Sequence, residues 1–367
     1  LETDPTVVDK RQDTSATMIQ VLKESIANHL DEDHIYRYPE TSKGINADQI
    51  NAFCERVGDD LKRIISEEIT YYEAISEHES ENELHRAFAE ERSSHFVGRE
   101  KPLKAIADYI VSDSSRPFFV HGVSGSGKTA LLAKAWQRTD GLADHSLARF
   151  ISATPKSGNL KNLLTDLCHQ LELHFEALGQ DVKSENTSIS DLNINSLNRH
   201  FESLLQRNPA EKRLIIFIDA IDQLGITTEA SVQQALSWLP RQLPVGVRVI
   251  ISALDRSMKS SEVSQHYQLP GQVSEFAKRH YSHSTHLNLP ALTQKNARDL
   301  LRNWLSVEGR SLTVTQETVI LSAFKIEGLP LWLRLTIDTA NRCHPFTSIP
   351  RILPADSNAL IPLRSQQ

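Results

Sequence analysis

The stretch HGVSGSGKTALLAK, residues 121–134, constrains this chain more than any other. Gly122, Val123, Ser124, Gly125, Ser126, Gly127, Lys128 and Thr129 fit G-x-x-x-x-G-K-[ST] in full. The glycines let the backbone turn back on itself and point several N–H groups into one concavity. The following helix presents its positive end to the same anion. Lys128 supplies a compact charge between outer phosphates, and the Thr129 hydroxyl suits a magnesium shell. A bare flexible glycine turn is the competing reading. The context disfavours it, because the apolar run PFFVHG reads as a strand before the loop and a helix follows from about Lys128 to Arg138.

A phosphate loop of this kind needs a parallel sheet behind it, and the rest of the chain supplies one. After HFVGREKPL, apolar runs alternate with helical patterns. ARFISA, RLIIFIDAIDQL and VRVIISAL read as further strands, with NLKNLLTDLCHQLELHF and SVQQALSWL among the helices between. Strands this apolar on both sides predict an α/β fold, a parallel sheet with helices on both faces. Beyond Leu289 only helices are expected. Before residue 95 the chain reads as mostly helical, its main feature a long pattern of Ile50, Phe53, Val57, Leu61, Ile64, Ile65 and Tyr72. That helix either packs on its own chain or mediates self-association. HIYRY reads as a short strand, residues 1–16 as a loop and SEHESENE as an acidic break.

The 367 residues allow two or three domains. The longest unbroken apolar run is the five residues Leu214 to Ile218, whereas a membrane span needs about 20. Cys54, Cys168 and Cys343 are too dispersed for a metal or redox motif, which fits a reducing, cytoplasmic setting. Residues 1–95 hold 22 acidic and 10 basic side chains, the remainder 25 and 30. The modest positive balance suits a nucleotide and falls short of a nucleic-acid footprint, and no membrane partner is expected. Leu1 in place of Met suggests a fragment of a longer chain.

The strand LIIFID ends in Asp219. A carboxylate at a strand end beside a phosphate loop is how magnesium is held from its second side; the alternative is a strand-end carboxylate capped by water. Asp222 either positions the attacking water or caps the segment that follows.

FVGRE, HGVSGSGKTALLAK, LIIFIDAIDQL, VRVIIS and EGLPLWL, in that order, resemble the STAND class of signal-transducing P-loop ATPases. The resemblance is closest to the NACHT-like subgroup, in the branch that includes telomerase-associated protein 1 and nephrocystin-3. It covers about residues 83–363. Leu22 to Ile69 more weakly resembles the tail of an N-terminal domain of unknown function. The resemblance implies a domain tail at 1–45, a long amphipathic helical linker at 46–94, a nucleotide-binding domain at 95–288 and a helical domain with a GLP motif at 289–367. It implies ATP or ADP with Mg2+ as ligand. Val97 and Arg99 would border adenine and ribose. Ser124, Gly125, Ser126, Gly127, Lys128, Thr129 and Ala130 would cradle the phosphates. Thr129 and Asp219 would hold magnesium, Ser252 would sense the terminal phosphate, and Pro330 would press on the nucleotide. Lys128 and Asp222 would carry the chemistry.

Two departures bear on hydrolysis. Relatives often place two acids together after the magnesium aspartate, but here Ala220 and Ile221 precede the single Asp222. An arginine is also lacking just beyond Leu254, and Arg256 comes two residues late. These departures imply slow hydrolysis or the help of a neighbouring subunit; the resemblance implies a nucleotide-driven switch, self-association through the ATPase domain, and effector and sensor domains outside the segment, and bacterial relatives suggest antiphage defence. A scaffold locked on ADP is the alternative, and an initiator-type DNA-handling ATPase is disfavoured by charge. On either nucleotide reading, Lys128→Ala should weaken adenine-nucleotide binding by about tenfold or more in calorimetry.

Overall fold

The computed structural model describes residues 18–25, 28, 47–74, 77–181, 189–226, 228–255, 268–307 and 309–341. The loop expected at 1–16, the strand expected at HIYRY, Arg256 and residues beyond 341 lie outside them. The chain divides into two compact units, Leu1–Ser76 and Glu77–Gln367. In the first, α1 spans Ala47–Ala74, with Asp48 in the first turn where the helix dipole favours an acid. Its apolar stripe is solvent-facing: Ile50, Phe53, Leu61, Ile64, Ile65 and Ile69 are exposed.

The second unit is built on five parallel strands, β1 (Phe118–Gly122), β2 (His145–Phe150), β3 (Leu214–Asp219), β4 (Val247–Leu254) and β5 (Thr285–Asn288), in the order β2-β3-β4-β1-β5. Alternate residues feed two cores. Phe119, Ile216, Ile218, Val249 and Ile251 face one side. There they meet α5 (Leu160–Ala177), α6 (Ile194–Gln206) and α8 (Gln268–His280), through Leu167, Phe201 and Val273. Phe118, Val120, Ile215, Phe217 and Ile250 face the other. They meet α2 (Glu77–Ser93), α3 (Glu100–Val111) and α4 (Lys128–Gln137), through Ala89, Ile106 and Leu131. The period of two, with both faces covered, is the physical meaning of the unbroken apolar strands.

Three helices follow the sheet, α9 (Gln294–Val307), α10 (Val314–Glu327) and α11 (Pro330–Asn341), around Leu301, Phe324, Trp332 and Leu333. Thr313 and Gln316 form a capping box at the start of α10. Gly328, at φ 65°, ends it in the left-handed conformation and donates to Phe324 O at 2.7 Å. Pro330 then opens α11, a position where its missing N–H costs nothing. The GLP triplet is thus a stop followed by a start.

The structure differs from the sequence reading at four places. The linker expected over 46–94 divides: α2, its second half, belongs to the sheet unit. The acidic run expected as a break is helical from Glu77, where its side chains find partners on β2 and in the turn after it. Thr154 Oγ1 donates to Glu81 at 2.5 Å and Arg149 to Asn82 Oδ1 at 2.5 Å. The helix expected at SVQQALSWL is confined to α7 (Glu229–Gln234), followed by turns. The four-residue β5 went unread because it has no continuous apolar run and its pattern of exposure is mixed.

Behind β1 lies a chain of hydrogen-bonded side chains. The Tyr281 carbonyl can only accept, so His286 Nε2 donates to it at 2.9 Å. His286 Nδ1 then accepts from His121 Nε2 at 2.8 Å, and His121 Nδ1 accepts from Ser274 Oγ at 2.7 Å. Burial, reinforced by Lys278 and His286 and opposed by Asp255, pushes the His121 pKa down to about 3. Below an ordinary histidine pKa of about 6.5, only the unfolded chain takes up this proton. Stability is therefore fully present above that pH and is lost on acidification towards pH 3. Urea titrations at stepped pH should show a fall of about 1.4 kcal/mol per pH unit for this one proton. His121→Gln should flatten the slope by that amount.

Candidate nucleotide site

The loop leaves β1 at Gly122 and enters α4 at Lys128. Gly125 (φ 73°) and Gly127 (φ 92°) take left-handed backbone that a side chain would strain. Lys128 Nζ donates to the carbonyls of Gly122 at 2.8 Å and Val123 at 3.1 Å. Burial lowers its pKa, while Asp222, Asp219 and Asp255 act to hold the charge on. Ser126 Oγ is buried without a hydrogen-bond partner. Ser124 is exposed, and Thr129 and Ala130 are half-buried in the first turn of α4.

The acids come from neighbouring strand ends. Asp219, at the end of β3, accepts from Ser252 Oγ and from the Thr129 hydroxyl. Burial raises its pKa against those bonds and against Lys128. Ser252 is fully buried on β4 and also accepts from Ala220 N at 2.8 Å. Its visible work is to hold Asp219 and the bend after it, where Ala220 sits at φ 57°. Asp222, raised by burial and opposed by Lys128, accepts from Leu254 N at 2.8 Å. Asp255 was missed in the sequence. It lies one residue beyond β4, donates its N–H to Gly122 O at 3.0 Å and pairs with Lys278 at 3.1 Å. The rule that parallel sheets place ligands at their carboxyl ends would have pointed to it; nothing in the sequence pointed to Lys278, which α8 delivers.

The third wall comes from the helical segment. Leu331 N donates to Gly125 O at 3.3 Å, and the Pro330 ring lies 3.8 Å from where a Cβ on Gly127 would stand. Val97 packs on the cluster of α9–α11. A Cβ on Gly98 would run into Asn296 of α9. Arg99 is buried, at φ 65°, and its guanidinium donates to Ser126 O at 2.9 Å and to Pro290 O. The backbone at 97–99 thus joins the loop to the helices, and in this arrangement Arg99 is engaged with carbonyls. Leu331 was not singled out by sequence because its apolar character says only core.

These residues fit a polyphosphate with its magnesium. Thr129 and Asp219 stand in mutual contact as two oxygen donors, and the loop carries an orphaned hydroxyl. Among the described residues no three His, Cys, Asp or Glu side chains group into a metal cage. Magnesium takes one or two protein ligands and completes its shell with phosphates and water, so two oxygen donors such as Thr129 and Asp219 fit it. No described helix is long and apolar enough to cross a membrane.

A phosphate loop on a parallel sheet, with a strand-end aspartate against its threonine, defines a P-loop ATPase domain. Residues 95–252 match the family described as AAA ATPase domain. The chain is homologous to NACHT-containing proteins. It is 28% identical to NACHT and WD repeat domain-containing protein 2 of Mus musculus over 279 residues, 73% of this chain and 14% of that protein. Nephrocystin-3 of Mus musculus is 30% identical over 196 residues, 51% of this chain and 14% of that protein. The chain therefore spans about one seventh of these relatives' length. Among solved structures, the Walker-type ATPase of Pyrococcus abyssi aligns over 74% of this chain and 73% of its own, at 10% identity and a TM-score of 0.44.

A Cβ on Gly125 would stand 2.7 Å from Leu331 Cβ. Gly125→Ala should therefore cost about 1–2 kcal/mol in left-handed strain, with overpacking adding about 1–3 kcal/mol. Hydrogen exchange should show the loss concentrated in α11.

Proposed function

We propose that this chain is the nucleotide-operated switch of a larger signalling protein. ATP with magnesium binds at the phosphate loop, the helical segment moves with the state of the phosphates, subunits associate through the ATPase domain, and hydrolysis resets the module. The observation that carries this reading is the Leu331 N–H on the Gly125 carbonyl, with Pro330 beside Gly127. A change in loop conformation is felt directly by α11. A switch requires its two nucleotides to favour different states, and the γ-phosphate is the difference available to this loop.

Within this reading Lys128 and the loop amides, with Ser124, Gly125, Ser126, Gly127 and Ala130, hold phosphates. Thr129 and Asp219 hold magnesium, which when bound supplies charge neutralisation to the phosphates. Asp222, flanked by Lys128, orients the attacking water. Val97 borders the nucleoside. Arg99 and Ser252 act by keeping the loop and Asp219 in place. The nucleotide-binding domain runs from 95 to 288 and the helical domain from 289, in a cytoplasmic protein. Sensor and effector domains, such as the WD repeats named in one relative, would belong to the remainder of a longer protein. Antiphage defence is one setting for such a switch.

A second reading, a scaffold that retains ADP, draws support from the lone acid at Asp222 and from its bond to Leu254 N. Light scattering with ADP and with ATP, combined with turnover measurements, separates the two. The switch predicts a larger mass with ATP and turnover reduced by about 100-fold in Asp222→Ala. Equal mass in both nucleotides, with ADP released on denaturation and no turnover, establishes the scaffold instead.

A further inference from the structure

At the opposite end of the sheet, where the strands begin, lies a cavity of about 360 Å3. It is lined by Arg116, Arg241, Arg279, His280, His283 and Ser284, with Tyr281 and Ser282, and by no carboxylate. The lining residues arrive from separate segments. Arg116 lies two residues before β1, and Arg241 is on the approach to β4. Arg279 and His280 close the last turn of α8, and His283 and Ser284 lead into β5. Because β4, β1 and β5 are adjacent and parallel, their starting ends converge. The accumulation of charge is a product of the topology.

The basic residues that end α8 complement its dipole, and Glu275 lies 3.5 Å from Arg279. Neither accounts for Arg116 and Arg241, which come from other elements. Arg116 donates to the Arg241 carbonyl at 3.0 Å, which fixes two guanidinium-bearing segments side by side. A further observation points to a ligand. Ser284 Oγ is buried without a hydrogen-bond partner, although Ser284 N donates to Tyr281 O at 2.8 Å and so sets the turn. The Tyr281 hydroxyl is already spent on the carbonyls of Leu236 and Leu239. Three guanidiniums around one cavity, with a single carboxylate, Glu275, against one of them and an unpartnered serine hydroxyl in the wall, are the chemistry that receives a phosphate group.

We propose that this cavity binds a phosphorylated small molecule, independently of the phosphate loop. Guanidiniums suit the several oxygens of a phosphate better than one carboxylate does. The volume exceeds a single phosphate ion and falls in the range of small-ligand pockets, about 300–1,000 Å3.

Calorimetry with pyrophosphate on Lys128→Ala protein tests the site without the first one, so failure of either reading is distinguishable. Binding is expected to persist in that background. It should weaken by about tenfold or more in both Lys128→Ala/Arg279→Gln and Lys128→Ala/Arg241→Gln. Arg279 and Arg241 are exposed, so the thermal midpoint without ligand should not move. Absence of binding in Lys128→Ala, or undiminished affinity in both double variants, overturns the proposal. So does a short DNA duplex that displaces pyrophosphate at equal phosphate concentration, which would assign the patch to a nucleic-acid backbone.

Discussion

Burying the lysine of the phosphate loop is the constraint on which the rest of this domain depends. An ammonium removed from water is unfavourable unless negative charge or strong acceptors come with it. Here two loop carbonyls receive it, and Asp219, Asp222 and Asp255 act to keep it charged. Those acids end or follow β3 and β4, so β4 must stand next to β1 and β3 next to β4, with their carboxyl ends level. Asp219 is itself buried, and Ser252, Thr129 and Lys128 oppose the rise in its pKa that burial causes. Each charge is tolerable because of the others, and the sheet order makes their meeting possible.

Much of this was legible beforehand, and the reason is local. Gly122 to Thr129 encode the loop in contiguous residues, and LIIFID announces a buried strand ending in an acid. The unbroken apolar runs of β1, β3 and β4 pointed to the sheet with helices on both faces. What escaped was tertiary. Glu81 and Asn82 read as a solvated break, since their partners Thr154 and Arg149 are far away in sequence. Lys278 reaches Asp255 across 23 residues from another helix. Ser252 looked like a sensor because it stands near the strand end, yet its hydroxyl is occupied by Asp219 and Ala220. Position could be read from the chain; occupancy of the hydrogen bonds could not.

The segment from Val97 to Arg99 shows how a short stretch couples two parts of one unit. Gly98 lacks the Cβ that Asn296 would exclude, and Arg99 accepts left-handed backbone so that its guanidinium can reach Ser126 and Pro290. The loop and the entrance to the helical segment thus share one cation. Leaving those buried carbonyls unsatisfied would be costly, so the two parts are linked through backbone polarity as well as apolar packing. Such a link can shift between two arrangements more readily than an apolar core can.

The imidazole chain behind β1 also has a consequence for assembly of the sheet. β5 has four residues, and backbone pairing alone leaves so brief an outer strand free to slide along its neighbour. Displacement by one position would turn the His286 ring to the other face and leave His121, deep in the interior, with an unanswered N–H. The two rings therefore act as a vernier, admitting one alignment of the final strand and so fixing where the chain departs towards the helices that follow.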